Sequence, residues 1–424
     1  MIISKEVYDV VVIGGGPAGM MAAGRAGELG AKTALLEKNA GLGRKLLVTG
    51  KGRSNLTKAE FNPKTLVKKY GKKGDFLLSP LAALSVQKTI DFFERGGLKT
   101  KIERGKRIFP QSGKAADVLN VLIGYLKKSQ VEVITDAAVK EIVRDKDKIS
   151  KIILKSGQEI AAKNYILATG GKSYPGTGSV GEGYQWAKEL GHTVNKLRPA
   201  LVPLRVRETW VKEAQGLSLK NVELTVFQGG KKKGSRFGEM IFTHFGVSGP
   251  IVLDLSGLAG ELLDLPVGRQ SEVKLVLDLK PALNSETLDK RIQADFAKYS
   301  NKVFRNSLDD LLPQKMIPII VKLSGIDSEK KVNEINRAER QGLVKLLKGM
   351  EMTVVALLGF ATAIVTSGGM HLAEIDAKTM KSKLIGNLFF AGEIIDLHGP
   401  SGGYNLQLCW STGYLSGQSA ANVV

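Results

Sequence analysis

The stretch Val10-Val11-Val12-Ile13-Gly14-Gly15-Gly16-Pro17-Ala18-Gly19 is an apolar strand running directly into a Gly-x-Gly-x-x-Gly turn that includes Pro17 and Ala18. A helix follows it, and the next apolar run, Thr33-Ala34-Leu35-Leu36, ends on Glu37, with Lys38 beside it. Strand, glycine turn, helix and acid-terminated strand are the parts of a dinucleotide site. Gly14 makes the tight turn, Gly16 lets a pyrophosphate approach the backbone, and Gly19 lets the helix pack closely on the sheet. The helix N-terminus offers free N–H groups and a partial positive charge to the phosphates. Glu37 is an acceptor for the ribose hydroxyls of an adenosine. An isolated glycine pattern would carry little weight; here the flanking strand, helix and acid all stand at the required distances.

The chain has 424 residues, 43% of them apolar, enough for a large core in two or three domains. A single cysteine, Cys409, excludes a disulfide framework and a multi-cysteine metal site. The first strand begins within the first ten residues, which leaves no room for a signal peptide. The longest apolar stretch, Val354 to Val365, is shorter than the roughly 20 residues a bilayer requires. A soluble, cytoplasmic protein is expected.

Charge is unevenly spread. The formal net charge is +21, and residues 38–107 hold 18 Lys or Arg against 5 Asp or Glu. Such a segment is either a solvated lysine-rich surface or a face for a polyanion, since clustered cations gain affinity by releasing phosphate counterions. No aromatic stacking motif accompanies it, so composition leaves both readings open.

Residues 79–99 have helical spacing, and 115–128 form an amphipathic helix with Val118, Leu119, Leu122 and Leu126 on one side. Strands are expected at 131–134, 151–154 and 164–168, and a helix around 182–190 ending at Gly191. From about residue 196 the texture becomes short strands, at 201–207, 219–228 and 235–242, with a hairpin turn over 228–234. Residues 285–350 are charged and helix-patterned, broken by Pro313 and Pro318. After about 352 apolar strands and glycines return. This order implies an α/β dinucleotide-binding domain of residues 1–195 and 352–424, interrupted by a β-rich domain at 196–282 and a helical one at 283–351.

Two further strands deliver glycines to the carboxyl edge of the sheet, where ligands bind in doubly wound folds. They are Ile166-Leu167-Ala168-Thr169-Gly170-Gly171 and Asn387-Leu388-Phe389-Phe390-Ala391-Gly392-Glu393. Gly402-Gly403-Tyr404-Asn405-Leu406-Gln407 then precedes an apolar helix. In this order, after the first glycine turn, they point to FAD. Gly176-x-Gly178-x-x-Gly181 also fits the dinucleotide pattern formally, but no strand leads into it and no acid-terminated strand follows. It is expected to be a loop of the flavin domain, which leaves no dedicated nicotinamide domain.

Over essentially its whole length the chain resembles the BaiN/RdsA (YhiN-like) family of NAD(P)/FAD-dependent oxidoreductases. The resemblance is carried by residues 12–19, by Gly43-Arg44-Lys45-Leu46-Leu47-Val48-Thr49-Gly50-Lys51-Gly52-Arg53-Ser54-Asn55-Leu56-Thr57, and by Phe242-Thr243-His244-Phe245-Gly246-Val247-Ser248-Gly249-Pro250. Thr366-Ser367-Gly368-Gly369 and the C-terminal glycine motifs complete it. It implies a glutathione-reductase-type, Rossmann-like FAD-binding domain interrupted by a β-barrel-like domain and a small helical domain. It also implies that the first glycine turn and Glu37 hold the ADP half of FAD. Arg44, Lys45, Thr49, Gly50 and Asn55 would follow the pyrophosphate and flavin, Val139 would lend its backbone to the adenine, and Thr169 and Gly170 would line the ribose side. Gly392, Glu393, Gly403, Asn405 and Leu406 would surround the ribityl chain and the pyrimidine end of the ring. A helix N-terminus there stabilises an anionic reduced flavin.

Many relatives carry cysteine where this chain has Ser54, so an essential acid or redox role of that cysteine would be missing here. Cys409 is expected to be buried packing. Of four histidines, His192 reads as structural. By the resemblance His244 faces the flavin from the inserted domain and is the leading proton-transfer candidate, with Tyr404 and His398 behind it. Their spacing gives neither a catalytic triad nor a metal site.

Flavin chemistry belongs to the cofactor, while the protein supplies orientation and proton handling. The resemblance implies NAD(P)H as a transient reductant and offers several substrates: a uridine of large-subunit ribosomal RNA reduced to dihydrouridine, a bile-acid double bond, or aminoacetone. The basic segment favours the polyanion. A small-molecule reductase or oxidase and a non-catalytic flavin-binding protein are the rival readings.

Overall fold

The computed structural model describes residues 7–265 and 271–422. They divide into two compact units: residues up to Pro199 together with those from Ile364 onward, and Ala200–Ala363.

The first unit is organised by a five-stranded parallel sheet, in the order Leu388–Phe390, Ala162–Leu167, Tyr8–Ile13, Thr33–Leu36, Glu132–Ile134. Val10, Val11, Val12, Ala34, Leu35 and Ile166 are wholly inaccessible. A parallel sheet is covered on both faces, so its strands read as unbroken apolar runs, as these do. The helices Pro17–Glu28 and Tyr404–Asn422 lie against each other almost backbone to backbone. A Cβ built at Gly413 would stand 2.4 Å from the Ala18 carbonyl oxygen, and one at Gly417 2.2 Å from that of Ala22. Two antiparallel sheets flank this layer: Thr57–Lys58, Arg107–Pro110 and Thr100–Glu103 in one, and Val139–Asp145, Lys148–Leu154 and Glu159–Ile160 in the other.

The helix expected over 115–128 is Ala115–Lys128. The helical stretch 79–99 is instead two helices, Leu78–Ala83 and Val86–Arg95. Ser85 separates them because its hydroxyl accepts from the Lys88 N–H at 3.2 Å and caps the second helix. The 176–181 glycines form a loop between Ala162–Leu167 and the helix Glu182–Glu189.

In the second unit six strands close a barrel, in the order Leu204–Val206, Gly246–Ser248, Lys231–Thr243, Ser218–Gln228, Val273–Asp278, Met350–Leu357. The last strand overturns the boundary placed at 352. Met350–Leu357 pairs with Val273–Asp278 on one side and Leu204–Val206 on the other, so it closes the barrel. Nor do the helical residues keep a core of their own, for Leu288, Ile292, Leu343 and Leu347 share one apolar cluster with Leu224, Val226, Leu275 and Met352. Pro318 does not break a helix but sits in the first turn of Ile317–Ser324, where its missing N–H costs nothing. The hairpin turn contracts to Gly229 and Gly230, whose φ values of 58° and 72° let the strands reverse within two residues. Among the described residues, no helix is long and apolar enough to cross a membrane.

Candidate functional site

The carboxyl ends of Tyr8–Ile13, Thr33–Leu36 and Ala162–Leu167 open on a cavity of ≈ 1280 Å³, its mouth included, within the first unit. This is the edge where doubly wound sheets bind ligands. Gly14, Gly16, Pro17 and Ala18 form its floor with the start of the first helix. Nothing lies within 4 Å of a Cβ built at Gly16, whereas one at Gly19 would fall 1.8 Å from the Gly14 carbonyl oxygen. One glycine therefore leaves space for a ligand and the other holds the helix on the turn.

Glu37 is buried in the wall. Its Oε2 accepts from the Gly15 N–H at 2.8 Å and its Oε1 from the Asn39 N–H at 2.9 Å. A carboxylate has about four acceptor sites, so this anchoring leaves capacity for hydroxyls. Lys38 pairs with Glu182, and Arg44 donates to Asn39 Oδ1 at 2.9 Å. Lys38, Arg44, Thr49 and Val139 all line the cavity.

Opposite them stands a polar network. Lys45 Nζ donates to Glu393 Oε2 and to Ser173 Oγ, each at 2.7 Å. Glu393 Oε1 accepts from Ser173 Oγ and the Thr366 N–H, each at 2.8 Å. Burial works against the Glu393 charge, but the Lys45 ammonium and these donors win and hold its carboxyl below the ordinary glutamate value. Asn405 closes the neighbouring loop, accepting from the Gly399 N–H at 2.8 Å and donating to the Gly399 carbonyl at 3.0 Å. Asn405 and Leu406 face the cavity, as do Thr169 and Gly170.

Five of the expected cofactor positions do not line the cavity and instead support it. Gly19 packs as described, and Gly392 donates its N–H to Thr412 Oγ1 at 2.9 Å and abuts Ala18. Gly403 backs onto Thr57, where a Cβ would come within 2.5 Å of the backbone. Gly50 and Asn55 bracket a tight loop in which Ser54, fully buried with φ 56°, donates its N–H to the Thr49 carbonyl at 3.0 Å.

Tyr404 is buried away from the cavity wall. Its ring meets Tyr70 edge-on at 6.0 Å, and the Tyr70 hydroxyl donates to its carbonyl at 2.8 Å. His244 belongs to the second unit, in the turn between Lys231–Thr243 and Gly246–Ser248, edge-on to Phe245. Cys409, expected only as packing, is part of the cavity wall. Burial, with the Glu393 charge behind it, pushes its thiol up to about 12. Sequence reasoning also missed Ser173, which only the folded chain brings between Lys45 and Glu393, and Glu182, reached through the 176–181 loop.

The residues fit a dinucleotide. The open space at Gly16 lies beside a helix N-terminus, and Thr169 Oγ1 in the wall is buried without a hydrogen-bond partner, as is Asn55 Oδ1. Buried polar atoms without partners are rare in folded proteins, and a bound nucleotide would supply one to Thr169.

A family model described as the HI0933-like protein Rossmann domain matches residues 8–419. The chain is 32% identical over 97% of its length, and 98% of the relative, to a 3-dehydro-bile acid delta(4,6)-reductase of Clostridium scindens. It is 29% identical to a ribosomal RNA dihydrouridine synthase of Haemophilus influenzae and 27% identical to one of Escherichia coli, in each case over 97% of this chain and 98% of the relative. Among solved structures, a 3-ketosteroid delta1-dehydrogenase from Sterolibacterium denitrificans superposes with a TM-score of 0.53 at 14% identity, covering 99% of this chain and 100% of that one. An E. coli quinol fumarate reductase gives 0.52 at 16%, covering 98% and 70%. With the glycine turn, the acid-terminated strand and the cavity at the sheet edge, the chain belongs to the HI0933-like family, the BaiN/RdsA group of oxidoreductases built on a Rossmann-type FAD-binding fold.

Proposed function

We propose that the chain uses NAD(P)H to reduce the C5–C6 double bond of a uridine in large-subunit ribosomal RNA. The full-length likeness to two ribosomal RNA dihydrouridine synthases carries this reading. The exposed basic residues of segment 38–107 support it, because a ribosomal substrate is a polyanion.

When bound, FAD supplies a two-electron carrier between nicotinamide and substrate. Gly14, Gly16 and the first helix would hold its phosphates, Glu37 its adenosine ribose, and Thr169 a further polar group. Lys45 and Glu393, locked by Ser173 and Thr366, would fix the wall beside Asn405 and Leu406. The substrate gains a hydride at C6 and a proton at C5, and NAD(P)H is oxidised to NAD(P)⁺. His244 is the proposed proton donor. The base would have to leave its stack to react.

Deleting the gene and mapping dihydrouridine in 23S ribosomal RNA tests the reading. The expected result is a site lost on deletion, restored by the wild-type chain and not by a Gly14→Ala/Gly16→Ala double variant. An unchanged map would overturn it. The higher identity to the bile-acid reductase favours a second reading, reduction of a double bond in a small molecule. That reading predicts turnover of free small substrates that is indifferent to added polyanion.

A further inference from the structure

Six basic residues of the first unit gather at the small sheet formed by Thr57–Lys58, Arg107–Pro110 and Thr100–Glu103. Lys58, Lys101, Arg104, Lys106 and Arg107 stand on it or on its turn, and Arg53 lies against it. Glu103 is the one acid among them. Arg53 and Lys101 pair with it, and the Arg53 guanidinium holds its carboxyl below the ordinary value. The surface therefore keeps a large excess of positive charge.

Arg53, Lys58 and Arg107 are held in place rather than trailing in solvent. The Arg53 guanidinium lies 4.2 Å from the centroid of the buried Phe109 ring, with that of Arg107 5.8 Å away, and Lys58 lies 5.6 Å from the Tyr404 ring. Lys58 also donates to the Gly105 carbonyl, and Arg107 Nε to the Arg104 carbonyl at 3.1 Å. Gly105 and Lys106, with φ of 75° and 56°, make a tight turn that leaves Arg104, Lys106 and Arg107 exposed. Ordering these long side chains in advance reduces the entropy lost when they bind an anion.

The sheet also packs against the segment that leads into the cavity wall. A Cβ built at Gly402 would lie 3.9 Å from Arg107 Cγ and 4.0 Å from Lys58 Nζ. Three residues later, in the first turn of the helix Tyr404–Asn422, Asn405 lines the cavity.

We infer that this sheet binds the phosphodiester backbone of the RNA strand whose base enters the cavity, with Lys58, Arg104, Lys106 and Arg107 contacting phosphates. The inference rests on the ribosomal RNA reading and adds to it the place where the strand lies. Single-stranded RNA suits the surface better than a lipid bilayer. Arg53 and Arg107 are fixed beside the Phe109 ring, and Ile102 is the only large apolar residue of the three strands that is exposed.

The test uses the FAD-loaded chain and a fluorescein-labelled oligouridylate, with binding followed by anisotropy across a salt series. Arg104→Glu/Arg107→Glu is compared with Lys127→Glu/Lys128→Glu, an equal charge reversal at the end of the helix Ala115–Lys128. Arg104→Gln/Arg107→Gln serves as a milder variant, and flavin absorbance reports folding for all of them. The expected result is a loss of affinity of roughly tenfold or more in both sheet variants, with the log–log salt slope reduced by about 0.7 per lost phosphate contact. The helix variant should change affinity much less. Equal losses in sheet and helix variants would reduce the sheet to general charge and overturn the inference while leaving the RNA reading intact. No RNA binding by the wild type would overturn both. Binding to phosphatidylserine vesicles, lost in the sheet variants while RNA binding is retained, would assign the surface to a membrane instead.

Discussion

Lys45 and Glu393, 348 positions apart in the chain, meet with Nζ 2.7 Å from Oε2 in the wall of the cavity. The contact joins the segment after the second strand to the segment after the last one. Both side chains are largely withdrawn from solvent, at 21% and 15% exposure, so removing one partner strands the other charge. Lys45→Met should cost about 2 kcal/mol in thermal unfolding, and Lys45→Met/Glu393→Gln should recover part of the loss. Equal melting of wild type and Lys45→Met would refute the pairing.

The same pair fixes a pH dependence. The Glu393 carboxyl is held below its ordinary value of 4.5 by Lys45 against the opposing effect of burial. The stability it contributes is therefore fully present above 4.5 and is lost as pH falls through the lower folded value. The melting difference between wild type and Glu393→Gln should stay constant from neutral pH down to that region and shrink below it. A difference that shrinks on the alkaline side would contradict the assignment.

Gly16 and Gly19 belong to one motif but should respond differently to alanine. At Gly16 φ is −82° and the space around a Cβ is open, so Gly16→Ala should leave the flavin-free protein within about 0.5 kcal/mol of wild type. The new methyl would stand where a pyrophosphate has to approach, so flavin retention should fall. Gly19→Ala drives a Cβ onto the Gly14 carbonyl and should destabilise the flavin-free protein by several kcal/mol. Melting curves and flavin absorbance of the two variants separate these outcomes.

Cys409 faces the cavity with its thiol pushed up to about 12 by burial and by the Glu393 charge. At mildly alkaline pH almost none of it is thiolate, and the thiolate is the reactive form. The folded protein should react with a disulfide reagent far more slowly than the denatured chain, and FAD should slow it further. Fast labelling of the native, flavin-loaded protein would count against both the burial and the cavity position.

His244 is the leading catalytic candidate and Tyr404 a weaker one, and substitution should now separate them. If His244 donates the proton, His244→Gln should lower turnover of the proposed RNA substrate by about 10²-fold or more while the proposed nicotinamide reductant still bleaches the flavin. Tyr404→Phe, altering a buried ring outside the cavity wall, should change turnover by less than about threefold. Stopped-flow absorbance separates flavin reduction from substrate reduction. Equal effects of the two substitutions would remove His244 from the mechanism.

The amino-acid sequence by itself determined the parts whose cause is local. Four consecutive apolar residues running into a Gly-x-Gly-x-x-Gly turn read as a strand buried on both faces, and Glu37 follows at the spacing a nucleotide turn demands. The helix Ala115–Lys128 was equally legible, since its buried Val118, Leu122 and Leu126 recur at helical spacing. Tertiary structure alone decided which distant segments meet. Met350–Leu357 reads as an ordinary apolar strand, and only closure of a six-stranded barrel assigns it to the second unit rather than to the flavin-type sheet. Ser173 reaches Lys45 and Glu393, Cys409 joins the cavity wall, and the Tyr404 ring turns toward Tyr70 because of packing between elements hundreds of residues apart. Periodicity and turn chemistry are written in neighbouring residues, whereas strand order and the direction of a side chain depend on what the rest of the chain packs against it.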